Sequence, residues 1–209
     1  MSGTRSIKRA GREGDGTPPS RALKRGPKRK LDEDHWFEAA LDAMAIGGVE
    51  RVRIDRLAAD LGVTKGSFYV LFRSREAFLD ELLAHWRRIS TLQVIAELSA
   101  INEPPLDRLA RVFAISTSDR AKRRARIEAG FRLWAYDDLR ASQTMREIDH
   151  HRLLYFQSVV AASGISADDA RPRAFLIYSY LIGDAMLAAG QDDLREVCRA
   201  FLSTGSERQ

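Results

Sequence analysis

Ile54-Asp55-Arg56-Leu57-Ala58-Ala59-Asp60-Leu61-Gly62-Val63-Thr64-Lys65-Gly66-Ser67-Phe68-Tyr69 reads as two short helices joined by a tight turn. Ile54, Leu57, Ala58 and Leu61 recur at helical spacing over two turns, and Gly62 can take the positive φ that ends a helix and redirects the chain. Thr64 stands where a cap would open a further helix running to about Leu71. Ala58 is small enough for that helix to cross close by, and Phe68 returns an apolar side chain to the junction. Thr64, Lys65, Ser67 and Tyr69 are left facing outward, hydrogen-bonding and cationic groups of the kind a DNA major groove accepts. The residue types and their spacing predict a helix-turn-helix.

The flanks extend the helical pattern. Asp32-Glu33-Asp34 places acids in a first helical turn, and Phe37, Ala40, Leu41 and Met44 follow on one face until Gly47-Gly48. Downstream, Ser74 can cap a long fourth helix with Phe78, Leu82, Trp86 and Ile89 inward, broken at Pro104-Pro105. Further breaks fall near Ser116–Asp119, Asp137-Asp138, Ser163-Gly164 and Gly190-Gln191, with Asp168-Asp169 and Asp192-Asp193 suited to helix starts. No alternating run is bounded by hairpin turns and no internal repeat is visible. The expectation is an all-α protein of roughly nine helices in two parts: a helix-turn-helix head over 31–75 and a helical body over 76–205, jointed by the long fourth helix.

The chain has 209 residues, 44% apolar and 30% charged, enough for a sizeable core. Its net charge of +5 is local: ten of the 34 basic residues lie in 1–31 with only Glu13 and Asp15, so that segment carries +8 and the rest −3. Residues 1–30 combine Gly, Pro, Ser and Thr with these cations and are expected to be disordered. Two readings of this tail stay open: an arm that tracks phosphates, with Lys28, Arg29 and Lys30 nearest the head, or a solvated leader. The single cysteine, Cys198, excludes an intrachain disulfide, and no secretory signal is expected, which points to a reducing, cytoplasmic setting. The least charged stretch, Ala174 to Gly190, contains Asp184 and falls short of the about 20 apolar residues of a membrane span.

The run Gly62-Val63-Thr64-Lys65-Gly66-Ser67-Phe68-Tyr69, followed by Phe72, Ser74, Arg75, Glu76 and Leu79, resembles the DNA-binding signature of the TetR family of transcriptional regulators over about residues 35–80. The resemblance implies a homodimer of all-helical subunits, a recognition helix at Thr64–Leu71, and a small-molecule effector pocket in the body whose occupancy respaces the two heads. It places Thr64, Tyr69 and Arg75 at positions that usually contact phosphates, and Lys65, Gly66 and Ser67 at groove-facing ones. Two positions depart from the family pattern: Leu71 replaces a common histidine, and Arg53 stands where a threonine often caps the second helix and adds a phosphate donor of its own. Between Arg51 and Arg75 six basic residues face only Asp55 and Asp60, a local +4 that serves affinity and orientation. The expected partner is a roughly palindromic double-stranded operator, and the expected output is repression relieved by an effector.

In the body, Phe113, Trp134, Tyr155 and Tyr178 lie near the middles of four helices and are the candidate lining of a pocket for an apolar or aromatic effector. Glu128, Arg132, His150 and His151 lie nearby, but adjacent histidines point about 100° apart on a helix and do not suit one metal; neither a metal nor a cofactor is expected. Small residues such as Ser179, Gly183 and Ala185 beside Phe175, Ile182 and Met186 suit close helix approach. With Leu194, Val197 and Phe201 of a following helix they form a candidate dimer interface, the position the family uses. Catalysis is not expected: no HExxH, GxSxG or P-loop pattern is present. The rival is a helical adaptor whose polybasic tail binds nucleic acid or anionic surfaces without sequence preference.

Overall fold

The computed structural model describes residues 31–115, 118–186, 196–198 and 200. Nine α-helices and no strand are found among them. They are α1 (Glu33–Gly47), α2 (Ile54–Asp60), α3 (Lys65–Leu71), α4 (Arg75–Arg87), α5 (Gln93–Ala100), α6 (Pro105–Ile115), α7 (Asp119–Trp134), α8 (Leu139–Ala162) and α9 (Ala167–Met186). The architecture is all-α, as the apolar spacing predicts.

Helix starts follow local chemistry. The Asp32 carboxylate accepts from His35 N–H at 3.3 Å, Ser74 Oγ from Ala77 N–H at 3.1 Å, and Ser118 Oγ from Ala121 N–H at 3.1 Å. Each satisfies a donor that the first helical turn leaves orphaned. Asp138 does the same for α8, accepting from the N–H groups of Arg140 and Ala141 and pairing with the Arg140 guanidinium. The Arg140 side chain holds the Asp138 pKa down at about 2; burial opposes it, and the backbone N–H groups of Ala141 and Arg140 add to the lowering. Gly62, at φ +69°, makes the turn between α2 and α3.

The fourth helix differs from expectation. α4 and α5 are one continuous rod interrupted by a π-helical turn, Arg88–Leu92. The wider turn keeps Ser90 and Thr91 buried, two hydroxyls that no periodicity argument placed in the core. The expected last helix falls largely outside the described residues, of which Glu196, Val197, Cys198 and Ala200 are helical.

Two apolar cores result. The first joins Trp36, Phe37, Leu41 and Met44 of α1 to Leu57, Phe68, Phe72, Phe78 and Trp86, and continues into Ile127, Phe131, Met145 and Ile148 of α7 and α8. The helix-turn-helix is therefore packed on the body through α1 and α7. Gly130 makes that approach possible, because a Cβ there would stand 2.8 Å from the Met44 carbonyl oxygen. Arg123 of α7 clasps the same junction, reaching Asp42 at 2.7 Å and Glu38 at 3.0 Å on α1. The second core gathers Leu98, Leu109, Phe113, Tyr155, Phe156, Val159, Ala174, Ile177 and Tyr178.

Candidate nucleic-acid interface and inner cavity

α3 presents two unlike faces. Phe68 is fully buried, edge-on to Trp36 at 5.2 Å and to Phe78 at 5.2 Å. Lys65, Gly66, Tyr69 and Val70 are exposed, Tyr69 by 57% and Val70 by 83%. Ser67 is half-buried, its hydroxyl 3.4 Å from that of Thr64. Thr64 has the extended backbone of a cap position, yet its side chain accepts no backbone donor and meets Ser67 instead. Val70 was not singled out by the outward-facing polar pattern. The signal that could have found it is its helical phase, one residue beyond Tyr69 on the side opposite Phe68.

The surrounding cations divide into two kinds. Arg53 stays exposed beside Asp55 at 3.3 Å. Arg75 is half-buried, its Nε donating to the Val52 carbonyl at 3.2 Å and Nη2 to that of Val49 at 3.4 Å. It thus ties the start of α4 to the α1–α2 connection, a structural engagement that sequence reasoning did not foresee. Arg51, Arg56 and Arg73 are solvent-exposed or nearly so. Lys28, Arg29 and Lys30 lie outside the described residues, as do Leu194 and Phe201 of the candidate dimer interface.

On α9, Phe175, Leu176, Ser179, Gly183 and Met186 form an exposed stripe, with Phe175 59% exposed. Ile182 differs from the rest of its group, being half-buried against the second core. Val197 is exposed. No helix among the described residues is long and apolar enough to cross a membrane.

A cavity of about 910 Å³ opens between α4, α5, α7, α8 and α9. Tyr155 and Tyr178 line it, together with Val94, Leu98, Phe156, Leu181 and Ile182. The other two candidates lie elsewhere. Trp134 belongs to the first core, its ring centroid 6.3 Å from Phe131, because the last turn of α7 faces α1 and α4. Phe113 is buried in the second core, edge-on to Tyr180 at 5.9 Å, and does not reach the cavity wall.

One wall carries a buried ionic network. Arg152 donates to both Glu128 carboxylate oxygens at 2.9 and 3.2 Å, to Thr91 Oγ1 at 3.0 Å, and to the Ser90 carbonyl at 3.3 Å. Arg132 reaches Glu128 at 2.8 Å and Asp149 at 2.6 Å. The Tyr178 hydroxyl accepts from Arg132 at 3.0 Å and from Arg152 at 3.3 Å, and donates to Asp149 at 2.6 Å. Burial pushes the Tyr178 phenol up, and although Arg152 opposes this, the neighbouring carboxylates help carry it to about 12. Burial also disfavours the Arg152 and Arg132 cations, but their carboxylate partners outweigh it and hold both pKa values above the ordinary guanidinium value. Of this network sequence reasoning named Glu128, Arg132 and Tyr178 but neither Asp149, Arg152 nor the π-turn hydroxyls, whose partners are distant in sequence.

Two further groups on the cavity wall are buried and unsatisfied. His85 and Tyr155 are each only 8% exposed, and neither His85 Nε2 nor the Tyr155 hydroxyl has a partner among the described residues. Arg88 Nη2 lies 3.0 Å from His85 Nδ1. Arginine can only donate, so Nδ1 accepts and the proton of the neutral ring sits on Nε2. Burial, and secondarily Arg88, keep the His85 pKa below its ordinary value. The His85 ring stacks on Phe37 at 4.5 Å, and Phe37 in turn meets Phe72 at 5.7 Å and Phe78 at 5.6 Å.

Residues 37–82 match the family model of the bacterial regulatory proteins, tetR family. Among solved structures, a transcriptional regulator from Rhodococcus sp. Rha1 superposes with a TM-score of 0.65 at 20% identity, covering 83% of this chain and 92% of that one. A candidate fatty acid metabolism regulator from Clostridium perfringens gives 0.63 at 14% identity, covering 80% and 96%. At these identities the structural likeness speaks for the fold alone. No curated protein sequence matches the chain.

Proposed function

The chain belongs to the TetR family of transcriptional regulators through the head that residues 37–82 form, and on that premise we propose a homodimeric repressor that reads a palindromic operator and releases it when a small molecule fills the inner cavity. The observation that carries the reading is the two-faced α3, which buries Phe68 and leaves Lys65, Tyr69 and Val70 outward. Lys65 and Ser67 offer hydrogen bonds to base edges, and Val70 offers apolar contact of the kind a thymine methyl accepts. Arg51, Arg53, Arg56 and Arg73 supply phosphate contacts, with Thr64 and Tyr69 beside them. Arg75 contributes by fixing the head's geometry, whatever phosphate contact it adds.

Dimerisation is supported by the apolar stripe on α9, whose Phe175, Leu176 and Met186 stand in water in the single chain. Release is supported by the contacts that run from the cavity to the head: His85 on its wall, Phe37 against His85, and Phe72, Phe78 and Phe68 beneath the recognition helix. A ligand that repositions His85 acts directly on the rings that seat α3, and a shift in populations between two head spacings follows.

Selection of bound sequences from a random duplex library, followed by titration of the selected and a scrambled duplex at several salt concentrations, tests this reading. Preference for one palindromic sequence that persists as salt weakens the scrambled complex is expected. Lys65→Ala should cost the selected complex about 1–3 kcal/mol. Equal affinity for all duplexes, abolished by removing residues 1–30, would instead favour an adaptor held by its basic tail.

A further inference from the structure

The cavity wall is unevenly charged in a way that names the chemistry of its occupant. Six arginines line it, and three are already spoken for: Arg152 by Glu128, Arg123 by Glu38 and Asp42, and Arg111 by Glu103. Arg88, Arg120 and Arg124 line it without a carboxylate within ion-pair distance among the described residues. Arg124 is the decisive one, because it is half-buried and, among the described residues, donates one hydrogen bond, to the Ile89 carbonyl at 3.0 Å. Burial first, then Arg152 and Arg120, weaken its hold on its proton, and the more distant charges of Glu128 and Glu97 offset them only in part. The remaining carboxylates of the wall, Asp34 and Glu97, are at exposed positions of the rim.

Two uncharged groups stand behind this wall: His85 Nε2–H and the Tyr155 hydroxyl are buried donors without acceptors among the described residues, and neither has the accessible surface to meet an occupant directly. Burial holds the Tyr155 phenol above its ordinary pKa, so it keeps its proton. The cavity presents a guanidinium without an ion-pair partner among the described residues on a surface that includes Val94, Leu98, Phe156, Leu181 and Ile182. A cation would meet three arginines that have no carboxylate within ion-pair distance among the described residues.

We propose that the inner cavity binds an amphipathic anion, with an apolar body against Leu98, Phe156 and Leu181 and a single anionic head on Arg124. The inference rests on the reading of the cavity as the effector site and replaces a purely apolar or aromatic effector with a charged one. Guanidinium is suited to this task because its fork matches a carboxylate or phosphate and its charge does not titrate away.

Three probes of one chain length test it: decanoate, decanol and decyltrimethylammonium, titrated calorimetrically into the full-length protein and into Arg124→Gln. Decanoate should bind the wild type at least roughly tenfold more tightly than decanol, as a charge-assisted contact warrants, with the ammonium weakest. Arg124→Gln should erase most of that preference while decanol binding persists, and the ratio within one protein cancels any general loosening of the fold. Arg120→Gln, at the more exposed neighbour, should reduce it less. Equal binding of decanoate and decanol, or an unchanged ratio in Arg124→Gln, overturns the anionic head and leaves the cavity as an apolar effector site. Failure of all three probes to bind overturns the cavity reading itself, and this proposal with it.

Discussion

The two buried regions of this protein are built on opposite principles. Beneath α3, Trp36, Phe37, Phe68, Phe72 and Phe78 hold one another by ring contacts of 4.7 to 5.7 Å. Such pairs add about 0.5–1.5 kcal/mol each beyond the area they bury, and they need no partner of matching charge. Beside the cavity, Glu128, Arg132, Asp149, Arg152 and Tyr178 form a network in which every bond compensates a desolvation penalty. The ionic wall depends on charge balance and is sensitive to any charge introduced next to it.

Breaking each region should expose the difference. Glu128→Ala leaves Arg152 buried without its countercharge and should cost about 3–5 kcal/mol in urea unfolding. The double variant Glu128→Leu with Arg152→Met should recover much of that loss, since a packed apolar pair carries no desolvation penalty. Phe68→Ala should cost a comparable about 3–5 kcal/mol, but with no second substitution in the core able to repair it. A double variant as unstable as Glu128→Ala alone would mean that the network holds the fold by shape and not by charge balance.

The junction between the regions is the next target. Gly130→Ala drives a methyl into the Met44 carbonyl, which belongs to the backbone of α1 and cannot rotate away. A loss of about 1–3 kcal/mol is expected, together with a change in operator affinity if α1 carries the signal to the head. Full stability with wild-type DNA binding would show that α1 and α7 are free to separate.

The smallest effect concerns acid. Asp138 has its folded pKa depressed from 3.8 to about 2, chiefly by Arg140, so it binds fewer protons folded than unfolded. Its stabilisation is complete above the unfolded value and is lost as pH falls from about 4 towards about 2. Asp138→Asn should flatten that part of the stability curve, measured by circular dichroism, while leaving stability above pH 5 reduced by a constant amount. An unaltered acid limb would remove Asp138 from the capping role.

Much of the head was legible because its determinants are neighbours in the chain. Gly62 with positive φ, Ser74 capping α4, Phe68 turned inward and Lys65 turned outward all follow from spacings of three or four residues and from conformational preferences of single side chains. The exposed stripe of α9 was legible for the same reason. The carbonyl contacts of Arg75 were not legible, because a basic residue at a helix start says nothing of which distant carbonyls stand within its reach.

By itself, the sequence determined the all-helical class, the helix-turn-helix and its two faces, since amphipathic period and local caps act within a few residues. Only the tertiary structure decided that Arg152 would meet Glu128, that Ser90 and Thr91 would be buried in a π-turn, and that Trp134 and Phe113 would turn away from the cavity. Those outcomes depend on how whole helices pack, and a helix's own spacing fixes its apolar face without fixing which charged side chain from another helix will stand opposite it.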